Sequence, residues 1–221
     1  MAGAGWISAR SSWPGLAIVN EMARRVRKPA SAILDRAFFA RDALTVARDL
    51  IGVTLLVDGV GGTIVEVEAY DHTDPASHCF EGRRTARNES MFGPAGIAYV
   101  YRSYGVHWCL NFVCGTEPMG SAVLIRALEP TVGIAAMAER RGAFKPAQLC
   151  AGPGRLTEAL GITNALDGKA LDAPPFSLLP RKGAPEIAAG QRIGITRGLD
   201  LQWRFGLAGS PFLSRRFANR T

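Results

Sequence analysis

The chain has 221 residues, 48% of them hydrophobic and 20% charged, a balance that suits one globular domain and excludes a wholly disordered or fibrous chain. No stretch approaches the roughly 18 uninterrupted apolar residues of a membrane-spanning helix, so a membrane partner is not expected. A net charge of +7 comes from 26 basic and 19 acidic side chains, and only four of the bases are lysines (Lys28, Lys145, Lys169 and Lys182), which leaves arginine dominant.

Arginine suits bidentate phosphate contacts, so this balance permits a nucleic-acid partner; a GC-rich genome produces the same bias. The four cysteines, Cys79, Cys109, Cys114 and Cys150, form no C-x-x-C pair and no Cys/His cluster. A zinc site or a disulfide scaffold is therefore not expected, and a reducing cytoplasm is the simplest compartment.

Residues 1–30 carry five bases, Arg10, Arg24, Arg25, Arg27 and Lys28, against the single acid Glu21. They lack the compact apolar segment and cleavage pattern of a secretory signal. The stretch reads as a flexible basic N-terminal extension, or as a start placed upstream of Met22, ahead of a domain spanning 31–221.

Within that domain, Asp42 can cap a helix through Ala43–Ile51, with Gly52 just past its end. Val53–Val57 reads as a strand, Asp58-Gly59 as a turn and Thr63–Tyr70 as a second strand. The polar, Arg-rich loop from Asp71 to Pro94 is long for a compact domain, a property common in functional loops. Ile97–Ser103, Val106–Cys114 and Ala122–Ala127 read as three more strands and Thr131–Arg141 as a helix. Pro153 and Gly161 bracket another helix. The Pro-rich stretch 167–189 reads as an irregular surface loop, and Ile193–Thr196 and Trp203–Ala208 as closing strands. Adjacent strands without regular βαβ alternation predict an α+β fold: a single mixed domain with a central antiparallel sheet flanked by helices.

Three segments carry residues suited to chemistry. In the strand around Ile64–Tyr70, alternation puts Ile64, Glu66, Glu68 and Tyr70 on one face and Val65, Val67 and Ala69 on the other. A carboxylate beside an aromatic at a strand end suits a general base, but the segment alone favours the plainer reading of two glutamates paired with arginines on a solvated face. Three of the four tyrosines, Tyr99, Tyr101 and Tyr104, fall within six residues. Their rings suit stacking on nucleobases and, equally, cross-strand packing. His78 lies in the long loop near Arg83, Arg84 and Arg87, where it reads as a ligand contact or as a solvated residue. Arg126 ends an apolar run and needs a carboxylate partner. His72 and His107 stand in no pattern, and Gly152-Pro153-Gly154 does not match a phosphate-binding loop.

Taken in order, Glu66-Val67-Glu68-Ala69-Tyr70, Pro75-Ala76-Ser77-His78, Arg87-Asn88 with Met91-Phe92, Tyr99-Val100-Tyr101, Tyr104-Gly105, Asn111, Leu128-Glu129-Pro130 after Arg126, and Gly152-Pro153 resemble the alkyladenine (3-methyladenine or methylpurine) DNA glycosylase family from about Phe38 to Ser214. The resemblance implies a mixed domain with an antiparallel sheet and a monofunctional repair enzyme. Such an enzyme cleaves the N-glycosidic bond of damaged purines in double-stranded DNA, with no metal or other cofactor, and acts as a monomer. It also implies roles. Glu68 would be the general base activating water, held with that water by Arg126 and the backbone carbonyl of Ile193. Tyr70 would stack on one face of the flipped base, with His78 and Tyr101 on the other; Asn111 would line the pocket floor, and Tyr104 would wedge into the duplex. Two other readings compete: a sugar glycosidase using Glu66 and Glu68 as a carboxylate pair, and a nucleic-acid-binding module without catalysis.

Overall fold

The computed structural model describes residues 34–116, 119–142 and 145–218. The basic stretch 1–30 lies outside the described residues. Helix α1 (Arg36–Phe39) begins at Asp35, and α2 (Ala43–Leu50) at Asp42, whose carboxylate accepts the Thr45 amide at 2.9 Å. Strands β1 (Thr54–Val57) and β2 (Val60–Tyr70) form a hairpin, and a long loop with two short 3₁₀ turns leads to β3 (Ala98–Ser103), β4 (His107–Val113) and β5 (Ala122–Val132). Then come α3 (Ile134–Arg141), α4 (Pro146–Leu149), α5 (Pro153–Leu160), β6 (Phe176–Leu179), β7 (Ile187–Gly190) and β8 (Arg204–Leu207).

All pairings are antiparallel, in the order β3-β4-β5-β2-β1-β6. The eleven-residue β2 organises the sheet. One of its edges pairs with β5 along nearly its whole length; the other is shared, with β1 taking Val60–Thr63 and β8, which carries β7, taking Glu66–Glu68. One sheet face packs against α2 and α5 through Val46, Leu50, Leu156 and Leu160, with Leu110, Phe112, Val123 and Ile125 of the sheet in the same core. A smaller core on the cleft side joins Cys79, Met91 and Phe92 to Tyr99, Val113 and Ala122. The α+β architecture is the one expected.

Four local expectations are corrected. Thr131 and Val132 extend β5 instead of opening a helix, and α3 starts only after Gly133, whose φ of 73° ends the strand. The stretch 167–189 is not wholly irregular: Phe176 and Leu178 alternate inward and pair with β1, and β7 begins at Ile187. Residues 193–196 form no strand, because Gly194 takes a φ of 80° and the Ile193 amide bonds to a side chain instead of a ladder.

The fourth correction concerns the faces of β2. Pairing runs Ile64↔Leu128, Glu66↔Ala127, Val67↔Ile125, so Val65 is an extra residue on β2 and Arg126 an extra residue on β5. Such paired bulges cancel in register and re-aim the side chains between them. Ile64 therefore joins Val67 and Ala69 in the main core, leaving Glu66, Glu68 and Tyr70 on the other side. The close approach of strands at the start of β2 requires glycine. A Cβ on Gly61 would lie 1.9 Å from the Leu55 carbonyl oxygen, and one on Gly62 the same distance from that of Glu129. Alanine at either position should cost on the order of 3 kcal/mol. Urea unfolding measures this; an unshifted midpoint would refute so close an approach.

Candidate active site

Register carries the key residues into one row. Tyr99 pairs with Asn111, Asn111 with Leu124, Leu124 with Glu68 and Glu68 with Arg204, across β3, β4, β5, β2 and β8. Partners in one row of an antiparallel sheet project to the same side. Above this row opens a cleft of about 1150 Å³, lined by Tyr70, His78, Tyr101, Asn111 and Arg126 among others.

Glu66 and Glu68 are both fully buried, which removes the solvated-face reading. Arg126 joins them: its Nε donates to Glu66 Oε1 at 3.0 Å and its Nη1 to Glu68 Oε2 at 3.1 Å. Burial opposes the charge on Arg126, yet Glu68 and Glu66 hold its guanidinium above the ordinary pKa. Glu68 Oε2 also accepts the Tyr70 hydroxyl at 2.9 Å, and Oε1 accepts the Ile193 amide at 2.7 Å. The Ile193 group that reaches Glu68 is thus the N–H and not the expected carbonyl. Burial, and next the Glu68 carboxylate, push the Tyr70 hydroxyl well above its usual pKa, so it remains a proton donor.

The two carboxylates differ in what holds them. Glu66 accepts three bonds on Oε1, from Arg126, Arg204 and the Ser214 hydroxyl, and the Ser214 amide on Oε2; of these partners only Arg126 lines the cleft. Glu68 accepts three bonds from the described residues, two of them on Oε2, so Oε1 retains acceptor capacity.

The aromatic residues form a braced group. Tyr99 and Tyr101 stack at 5.3 Å, and the His78 ring meets Tyr101 edge-on at 4.6 Å while its Nδ1 shares a 3.0 Å hydrogen bond with the Tyr99 hydroxyl. Asn88 pins the His78 loop, donating to the His78 and Arg83 carbonyls and accepting from Thr85. Asn111 is buried and donates to the Tyr99 carbonyl. Behind Tyr70, the Arg192 guanidinium lies 4.6 Å from the ring centre and is paired in a fully buried ion pair with Asp74.

Tyr104 stands apart, 86% exposed at the tip of the β3–β4 hairpin. It takes a φ of 50°, followed by Gly105 at 69°, the left-handed pair that a tight hairpin turn needs. The exposed Arg155 and Arg197, and Arg87 beside Tyr101, also line the cleft.

A family profile described as methylpurine-DNA glycosylase matches residues 37–211. The chain belongs to the methylpurine-DNA glycosylase family. A protein named "Putative 3-methyladenine DNA glycosylase" from Rhodopseudomonas palustris (strain BisB18) is 62% identical over 185 residues, covering 84% of this chain and 92% of the relative. Proteins of the same name from Bradyrhizobium diazoefficiens and Nitrosospira multiformis are 60% and 59% identical over 193 and 179 residues, covering 87% and 81% of this chain and 94% and 92% of their own. The resemblance drawn from the ordered motifs is borne out.

In this glycosylase, Glu68, Arg126, Tyr70 and Ile193 meet at one carboxylate, while His78, Tyr101 and Asn111 gather around Tyr99 in the same cleft. Sequence reasoning missed the fourfold coordination of Glu66, the Arg192–Asp74 brace, and Arg204 and Ser214. Arg192 and Arg204 sit in no motif, and nothing local distinguishes them from the other 20 arginines.

One electrostatic consequence is testable. Burial, then Arg87 and Arg83, lower the His78 pKa from the ordinary imidazole value of 6.5. His78 is therefore neutral at pH 7, and the folded protein resists its protonation. The unfolded chain takes up that proton first, so this contribution to stability is present above pH 6.5 and is lost as pH falls below it. An NMR titration of the His78 ring should give a midpoint below 6.5; a midpoint above it would refute the placement against the two arginines.

Proposed function

We propose that this DNA glycosylase is monofunctional and monomeric, flips alkylated or deaminated purines out of duplex DNA, and hydrolyses the N-glycosidic bond with a water activated by Glu68. The observation that carries this reading is the different setting of the two buried glutamates: Tyr70, Arg126 and Ile193, which bond Glu68, all line the cleft, and Glu68 Oε1 can still accept from a water there, whereas Glu66 is held by Arg204 and Ser214, which do not line it. The water proton passes to Glu68, its oxygen bonds to C1′, and the C1′–N electron pair leaves with the base. A cationic alkylated purine departs neutral, and the carboxylate stabilises the oxocarbenium-like sugar. Arg126 and the Ile193 amide orient the carboxylate.

A flipped purine loses its stacking in the duplex, and aromatic faces replace it. Tyr70 takes one face and His78 with Tyr101 the other; a cationic lesion gains further from the π-faces. Asn111 lines the floor. The exposed Tyr104 occupies the space vacated in the stack, and Arg155 and Arg197 suit phosphate contacts at the rim. Among the described residues no lysine lines the cleft, which supports water over an amine nucleophile. The enclosure of Glu66 by Arg204 and Ser214, neither of which lines the cleft, disfavours a glycosidase with two working carboxylates.

Glu68→Gln should keep binding of a lesion duplex and lower base release by about a hundred- to ten-thousandfold, since the amide keeps the shape and loses the base. Single-turnover release of free base from alkylated duplex DNA decides it, and wild-type release by the variant would refute the assignment. Tyr104→Ala should slow release from a paired lesion far more than from an unpaired one, because only paired DNA must be unstacked at a cost of a few kcal/mol. Equal impairment on both substrates would move Tyr104 from the wedge to the pocket.

A further inference from the structure

The chain continues past β8 into a strap, residues 213–217, that closes over the buried end of Glu66. Phe217 anchors it. The ring lies 3.9 Å from the Arg204 guanidinium and packs on Gly190 and Gly206, where a Cβ would come within 2.9 and 2.5 Å of it. Arg204 donates to the carbonyls of Arg215 and Arg216 at 3.2 and 3.3 Å. Ser214 thereby comes to rest on Glu66: its amide donates to Oε2 at 2.6 Å and its hydroxyl to Oε1 at 2.8 Å. The same hydroxyl oxygen accepts Arg126 Nη2 at 3.4 Å. Ser214 lies three residues beyond the stretch that matches the family profile, which ends at 211.

Arg126 is therefore held at all three nitrogens: Nε by Glu66, Nη2 by Ser214 and Nη1 by Glu68. A planar guanidinium fixed at two corners has no freedom left in the direction of the third. We propose that Ser214 and Glu66 are positioning residues for the catalytic carboxylate, acting through Arg126, so that the C-terminal strap sets the orientation of Glu68. This rests on Glu68 being the general base.

The test uses the full chain and four proteins: native, Ser214→Ala, Ser214→Thr and Glu66→Gln. Each is assayed for lesion-duplex affinity, single-turnover base release and thermal stability. Ser214→Ala should lower the rate about tenfold, as loss of orientation does, with affinity changed less than about twofold. Ser214→Thr, which keeps the hydroxyl, should restore it. Glu66→Gln should lower the rate by a similar factor, again with affinity changed less than about twofold. A purely structural role would instead reduce thermal stability and leave the rate of the folded protein in place. Native rates in both Ser214 variants would overturn the proposal even if Glu66→Gln did not fold; so would a native rate in folded Glu66→Gln. Base release by the native protein with unaffected variants would fail this inference alone, whereas no release by the native protein would fail both it and the function.

Discussion

Two carboxylates and two guanidiniums, Glu66, Glu68, Arg126 and Arg204, lie buried together on one sheet face, and the surrounding structure is arranged to balance their charges and to supply most of their hydrogen bonds. Taking such groups out of water costs several kcal/mol per ion, and the attraction between them offsets this only when geometry and hydrogen bonding are good. The paired bulges at Val65 and Arg126 turn these side chains to one side while Ile64, Val67 and Ala69 stay in the core. The Ile193 amide and Ser214 then supply the donors that a regular sheet would not.

The second half of the cleft is built differently. Tyr99, Tyr101 and His78 brace one another through a stack, an edge contact and one hydrogen bond, over the small core of Cys79, Met91 and Phe92. The loop that carries His78 is tied down by Asn88, by the Asp74–Arg192 ion pair and by the packing of Arg192 on Tyr70. A stacking surface works only if it is already in place, since ordering it on binding would consume affinity. Tyr104 follows the opposite rule: held by a tight turn, its ring is left in solvent.

Much of this was legible in the chain. Strand alternation and turn residues located β1 to β5, the caps at Asp42 and Gly161 bounded two helices, and the ordered motifs pointed to the family. The errors share a cause. At Val65 and Arg126 the period of two breaks, and no residue type announces a bulge there. At 193–196 an apolar alternation suggests a strand, but Gly194 turns the backbone and a carboxylate distant in sequence takes the amide. At 176–179, prolines on both sides hid a short strand whose partner is β1.

The sequence by itself determined which chemistry the protein carries: a Glu-x-Glu-x-Tyr strand, a tyrosine cluster, a loop histidine and an excess of arginine, all local patterns readable from residue type and spacing. Tertiary structure decided which glutamate is bonded by residues that line the cleft, which group of Ile193 faces it, and which of the 22 arginines are buried partners. Those outcomes depend on cross-strand register and on contacts more than 100 residues apart, such as Glu68 with Ile193 and Glu66 with Ser214. A hydrogen bond is satisfied by whatever donor the fold brings within 3 Å, and no local pattern encodes which residue that is.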